Sequence, residues 1–240
     1  MAVDDSYTKS LLHFQGADAS TTFTDENPYH VWTPVNNAQI DDAQSVFGSR
    51  GMVLDGTGDF LTGDGHADFS FPGDFTVDFR FRLASQTNPM LMDFRPSYTT
   101  GAYITIPINS TYLVYEFQGA TKIQGTAVMA KDTWYHLAVA RSGTDTKMFL
   151  NGTQEGSTYS GDATTVLVGA NRPVIGANGW DTSYGNVNGW FDEVRFSKGI
   201  ARWTGNFTLP VSEYRPRMNY LHSRRDRMNP RGVSTQNILV

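Results

Sequence analysis

The chain has no cysteine among its 240 residues, which excludes a disulfide framework, a thiolate metal site and a cysteine nucleophile. Stability must come from packing. No apolar run approaches the roughly 20 residues that a membrane-spanning helix needs, and the opening MAVDDSYTKS lacks the apolar stretch of a secretory leader. The expectation is synthesis in the cytoplasm without an export signal and no membrane partner. The acceptor triplets at Asn109, Asn151 and Asn206 therefore carry little weight as glycosylation sites. Charged residues make up only 18% of the chain, with five glutamates, whereas aromatics reach 13% and glycines number 23. This is a composition of strand and turn formers, not of helices.

Charge is unevenly spread. Residues 215–240 carry six arginines (Arg215, Arg217, Arg224, Arg225, Arg227, Arg231) against Asp226, a net +5, so that the total of −5 leaves −10 for residues 1–214. An acidic body repels phosphate backbones, which argues against a nucleic-acid partner.

Alternation marks the strands. In FTVDFRFRL (75–83) Phe75, Val77, Phe79, Phe81 and Leu83 alternate with Thr76, Asp78, Arg80 and Arg82, which predicts one face on a core and one in water. WYHLAVARS (134–142) reads as a more buried strand, with Trp134 expected deep between two sheets, and TKMFLNG (146–152) returns as its hairpin partner, ending in Asn151-Gly152. Further strands are expected at 10–15, 51–56, 59–63, 89–94, 102–108, 112–118, 164–170, 173–177 and 189–197, and one helical turn in GIARW (199–203). Breakers such as GTGD, FPGD and PINST at short intervals fit a sandwich or jelly roll. After Tyr214 alternation stops, and residues 215–240 read as an extended arm.

Five blocks in order resemble the laminin G-like group of concanavalin A-like lectin/glucanase domains: SLLHFQGADASTTFTDENP, DGTGDFL, FPGDFTVDFRFRL, DTWYHLAVARSGTDTKMFLNG, and GWFDEVRFSKGIARW followed by NFTLP. Together they cover roughly residues 10–210. The resemblance implies an all-β antiparallel sandwich over residues 1–214, with the basic arm beyond it. Gln15 stands where family members often have Asp. The opening LLHF and the closing FDEVRFSKGIARW resemble modules of tailed-bacteriophage virion proteins, which implies a capsid decoration, tail or fibre component, located in the virion and forming homo-oligomers.

Enzymatic chemistry finds few candidates. Glucanases of this fold usually carry Glu-x-Asp-x-Glu on one strand, and glycoside hydrolysis needs two carboxylates across a cleft; no such string is present. In GWFDEVRFS strict alternation puts Asp192 with Trp190, Val194 and Phe196, and Glu193 on the opposite face beside Arg195, so the pair cannot act on one bond. Asp192 is expected to accept backbone hydrogen bonds and Glu193 to pair with a cation. His13 and His136 read as core histidines, and His30, His66 and His222 as isolated, with no histidine pair at metal spacing. The expectation is a binding or structural module and not an enzyme.

Three binding surfaces remain. Asp55, Asp59, Asp64 and Asp68 lie at short spacings in glycine-rich loops, donors that Ca²⁺ accepts, although the same residues are ordinary turn formers. Trp180, Tyr184, Asp181 and Asn188 in ANGWDTSYGNVNGW combine flat rings with polar groups suited to sugar hydroxyls; the alternative is that the rings cap the core or meet a protein. In the arm, Arg215, Arg217, Tyr220, Arg224, Arg225, Arg227 and Arg231 suit an acidic surface, either a sister copy or another virion protein. Three readings follow: a virion module that holds other subunits, a lectin for host glycans and, last, a glycoside hydrolase.

Overall fold

Among the described residues fifteen strands arise because alternating β-branched and aromatic residues fill two facing sheets. The computed structural model describes residues 6–85, 88–161 and 164–214. The strands are β1 Thr8–Leu12, β2 Thr33–Val35, β3 Gln39–Asp41, β4 Gly51–Asp55, β5 Phe60–Thr62, β6 Phe75–Leu83, β7 Met90–Asp93, β8 Ile104–Asn109, β9 Tyr112–Phe117, β10 Ala120–Val128, β11 Trp134–Ser142, β12 Asp145–Leu150, β13 Thr153–Ser160, β14 Val174–Ile175 and β15 Asn188–Lys198. One sheet runs β13-β12-β11-β6-β15-β4-β3, with β1 also on β15; the other runs β10-β9-β8-β7-β14-β5-β2. Every pairing is antiparallel. The protein is the all-β sandwich that the alternation predicts.

The core lies between the sheets. Phe75, Phe79, Phe81, Phe191 and Phe196 of the first sheet meet Met92, Ile104, Ile106, Leu113 and Tyr115 of the second, all buried. β6 and β11 span the residues read from the sequence, and the hairpin of β11 and β12 closes with Ser142 opposite Asp145. Between β12 and β13, Asn151 and Gly152 both take positive φ (49° and 80°), the two-residue turn whose twist suits a hairpin. A side chain at residue 152 would also meet the Phe207 carbonyl at 2.1 Å, so glycine is required twice over.

Four expectations fail. Trp134 pairs with Arg82, and the pleat puts it on the outer face, where it is half-buried, not between the sheets. The charged face of β6 is not in water either: Thr76, Asp78 and Arg80 are buried. The cause is the segment after β15. Arg80 Nη2 donates to the Pro210 carbonyl (2.8 Å) and the Thr76 hydroxyl to that of Ile200 (3.1 Å), while Trp203 and Phe207, stacked 4.0 Å apart, cover Ala138, Ala140 and Phe149. Finally, residues 164–170 form no strand, only a bridge from Val166 to Phe71, and GIARW is not helical. The one helical turn among the described residues is a 3-10 turn at Ala67–Phe69.

Candidate functional site

The loop from β14 to β15 is fixed from below. Buried Asp93, at the end of β7, accepts from Arg95 Nη2 (2.6 Å), Arg95 Nε (3.1 Å) and the Gly179 amide (2.9 Å). Burial raises the Asp93 pKa, and Arg95 offsets only part of that rise. A Cβ at residue 179 would sit 2.7 Å from the Arg95 carbonyl and 2.9 Å from Asp93 Cγ, so the close approach needs glycine. Arg172 Nη2 donates to the Gly179 carbonyl (2.7 Å). Asn178 Oδ1 accepts from the Trp180 amide (2.9 Å) and its own amide donates to the Tyr184 carbonyl (3.0 Å).

On this base stands an aromatic rim. Tyr98 and Trp180 meet edge to face with centroids 5.9 Å apart, the Tyr98 amide donates to the Trp180 carbonyl (3.1 Å), and the Tyr98 hydroxyl donates to Asp181 Oδ2 (3.0 Å). Asp181 Oδ1 accepts from the Ser183 hydroxyl (2.7 Å) and amide (3.0 Å), which lowers its pKa and keeps it ionised. Tyr98 and Tyr184 are each 67% exposed, while Trp180 is half-buried. The rim therefore offers flat ring surface beside an ionised acceptor, which is the chemistry that stacks on a sugar ring and accepts from its hydroxyls.

Of the four residues read as sugar contacts, Trp180, Asp181 and Tyr184 share this loop. Asn188 does not belong to it: it opens β15, opposite Asp55 of β4. Trp190 is also committed elsewhere, donating to Asp41 Oδ2 (2.7 Å) with Arg82 over its ring. Tyr98 was missed because RPSYTTG reads only as a breaker, and its contact with Trp180 is long-range.

The four candidate calcium ligands do not converge. Asp59 is fully buried and accepts from the Asn37 (2.8 Å) and Asp55 (3.1 Å) amides, a structural role. The exposed Asp55 accepts from the Thr57 amide (2.7 Å) as a turn residue. Asp64 and Asp68 instead flank His30: its Nδ1 lies 3.2 Å from Asp64 Oδ2 and its Nε2 3.4 Å from Asp68 Oδ2. The His66 ring packs edge-on against it, with centroids 5.0 Å apart. His30 and His66 are therefore not isolated, because the fold joins loops that are far apart in sequence.

Asp192 and Glu193 also depart from expectation. The pairing of β15 with β6 slips between Asp192 and Arg195, and Glu193 takes φ 51°, a bulge that inserts one residue and turns both carboxylates to the same outer face. Asp192 opposes Arg80, and Arg195 opposes Asp78, while Val194 and Phe196 stay in the core. Their partners are as read: Asp192 Oδ2 accepts from the Val46 (2.7 Å) and Phe47 (3.0 Å) amides, and Glu193 pairs with His13 and accepts from the Tyr214 amide (2.7 Å). Asp192 Oδ1 is buried with no hydrogen bond, and burial pushes the Asp192 pKa up to about 7. Beside them, Asp78 accepts from Arg195 Nε (2.9 Å), Arg195 Nη2 (3.1 Å) and the Tyr214 hydroxyl. Burial alone would raise the Asp78 pKa, but the Arg195 charge holds it well below the usual range. His136 is kept neutral by burial, and its buried Nδ1 makes no hydrogen bond. The arm arginines and Tyr220 lie outside the described residues.

The two antiparallel sheets define a concanavalin A-like jelly roll. Residues 55–201 match the concanavalin A-like lectin/glucanases superfamily, and the chain belongs to that family. No curated protein matches it. Among solved structures it is similar to domain 4 of AbnA, an extracellular arabinanase of Geobacillus stearothermophilus, in complex with arabinotriose (17% identity, 81% of this chain and 93% of that one, TM-score 0.58). It is also similar to the binding domain of Paraclostridial Mosquitocidal Protein 1 (14% identity, 80% and 48%, TM-score 0.60) and to the binding domain of botulinum neurotoxin DC in complex with SialylT (14% identity, 80% and 48%, TM-score 0.57). The chain spans nearly all of the first and about half of the other two. At these identities the likeness is one of fold.

Proposed function

We propose that the chain is a non-catalytic binding module that takes a glycan on the rim of Tyr98, Trp180, Asp181 and Tyr184. The observation that carries this reading is the pairing of two largely exposed tyrosines with an ionised aspartate on a loop pinned by Asp93, Arg95 and Arg172. Rings fixed before binding lose little entropy when a sugar stacks on them. Two structural neighbours were solved with arabinotriose and with SialylT, which supports a glycan as the ligand class. Access supports the non-catalytic reading: Asp192 and Glu193 share a face, yet they are 0% and 1% exposed, Asp192 holding the Val46 and Phe47 amides and Glu193 that of Tyr214.

For the setting, the LLHF and FDEVRFSKGIARW blocks support a tailed-bacteriophage virion, in which the basic arm would dock on a sister copy or another structural protein. A chain ending at Tyr214 should then keep its fold and fail to assemble. The binding reading is tested on a glycan array. The full chain should retain at least one class of oligosaccharide, and Tyr184→Ala, whose exposed ring leaves folding intact, should lose it. An array with no bound glycan, or one unaffected by Tyr184→Ala, overturns the proposal.

A further inference from the structure

We propose a first-row divalent metal site, of the kind that takes Zn²⁺, built from His30 Nε2, His66 and Asp68. It shares no residue with the aromatic rim and is independent of the glycan reading. The three residues come from two loops. His30 lies in the stretch before β2, packed against Phe69 with centroids 4.8 Å apart. His66 and Asp68 flank the start of the 3-10 turn, where His66 Nδ1 accepts the Asp68 amide (3.1 Å); a cation bound at Nδ1 would replace that hydrogen bond, since the nitrogen has one lone pair. Their donor atoms lie within 4.8 Å of one another.

A second observation points to a ligand. The His30 side chain is wholly buried, and its Nε2 makes no hydrogen bond although Asp68 Oδ2 lies 3.4 Å away. A buried imidazole nitrogen left without a partner is costly. Asp68 Oδ2 stands 3.4 Å from His30 Nε2 and 3.4 Å from His66 Nδ1, beyond the usual 2.7–3.2 Å of a protein hydrogen bond. Two donors bound to Zn²⁺ at 2.0–2.1 Å with tetrahedral angles are about 3.3–3.4 Å apart. The spacing is thus wrong for a direct bond and right for a shared cation.

The outer contacts agree. His30 Nδ1 faces Asp64 Oδ2 at 3.2 Å, and Asp64 is itself anchored, its Oδ1 accepting from the His66 amide (3.0 Å). A carboxylate on the far nitrogen fixes the tautomer that leaves Nε2 free for a metal. Two imidazoles and one carboxylate leave a fourth position for water. This nitrogen-rich set disfavours Ca²⁺, which takes six to eight oxygens.

The test is calorimetric titration of the full chain, freed of metal by chelation, with ZnCl₂ and with CaCl₂. Zn²⁺ should bind at a site that Ca²⁺ does not compete for. His66→Ala and Asp68→Asn, both at the surface, should each weaken it at least about tenfold, and Asp64→Asn by about 10- to 100-fold. Asp55→Asn should change nothing. Co²⁺ in the same site should give the strong visible bands of four-coordination, lost in His66→Ala. No Zn²⁺ binding, Zn²⁺ binding unchanged by both His66→Ala and Asp68→Asn, or displacement of Zn²⁺ by Ca²⁺ would overturn the proposal.

Discussion

Replacing Asp192 by Asn should change how stability depends on pH more than it changes the fold. Asp192 is fully buried, and its pKa rises from 3.8 to about 7 because burial outweighs the amides of Val46 and Phe47. A folded pKa above the unfolded one means that the native state holds a proton the unfolded state has released. The resulting contribution is fully present below about pH 3.8 and is lost as pH rises to about 7. At 1.36 kcal/mol per pH unit, a rise of about 3 units corresponds to on the order of 4 kcal/mol. Asn keeps an acceptor for both amides and does not titrate, at a cost of about 1–3 kcal/mol for amide hydrogens beside an oxygen that had no partner. The variant should therefore be more stable than wild type at pH 8 by about 1–3 kcal/mol, and no more stable at pH 4. Three titratable or charged groups face this site, Arg80 from β6, Glu193 and, through Glu193, His13, whose own pKa is raised. They are common to both proteins and largely cancel in the difference. Urea melts of both proteins at half-unit steps from pH 4 to 8 measure it. A difference that stays constant across that range would refute the reasoning.

Two other outcomes test the packing. Tyr214→Phe removes a hydrogen bond to the ionised Asp78 and should cost about 1.5–3 kcal/mol in a denaturant melt; an unchanged midpoint would mean that residues 199–214 do not seal the outer face. Trp134→Ala should cost about 1 kcal/mol, since the ring is half-buried outside the core, whereas Phe79→Ala should cost about 3–5 kcal/mol in the same denaturant melts; equal losses would put Trp134 back between the sheets.

How much could be read in advance depended on whether a feature is local. The strands β6, β11 and β12 announce themselves by period, and the Asn151-Gly152 turn by its need for positive φ. β13 does not, because TQEGSTYS carries no apolar alternation and pairs only as the hairpin's continuation. The polar row of β6 looked solvent-facing because nothing in the strand records that residues 199–214 fold back over it. The bulge at Glu193 adds one residue, and one residue reverses every face downstream, which is why Asp192 and Glu193 were misassigned while their partners were not. The rim was legible in Trp180, Tyr184 and Asp181, which are near in sequence, but not in Tyr98, which is 82 residues from Trp180. The same holds for His30 and His66, which meet only through the fold.

The central claim is that a glycan sits on the rim of Tyr98, Trp180, Asp181 and Tyr184 and is released unchanged. The chain has five tryptophans, so fluorotryptophan labelling with ¹⁹F NMR gives one signal each, and Trp180→Phe assigns the relevant one. On titration with the strongest ligand from the array, the Trp180 signal should shift in a saturable way while those of Trp32, Trp134, Trp190 and Trp203 hold, and the sugar should be recovered intact. Binding that leaves the Trp180 signal still, or a sugar cleaved during the titration, would contradict the account.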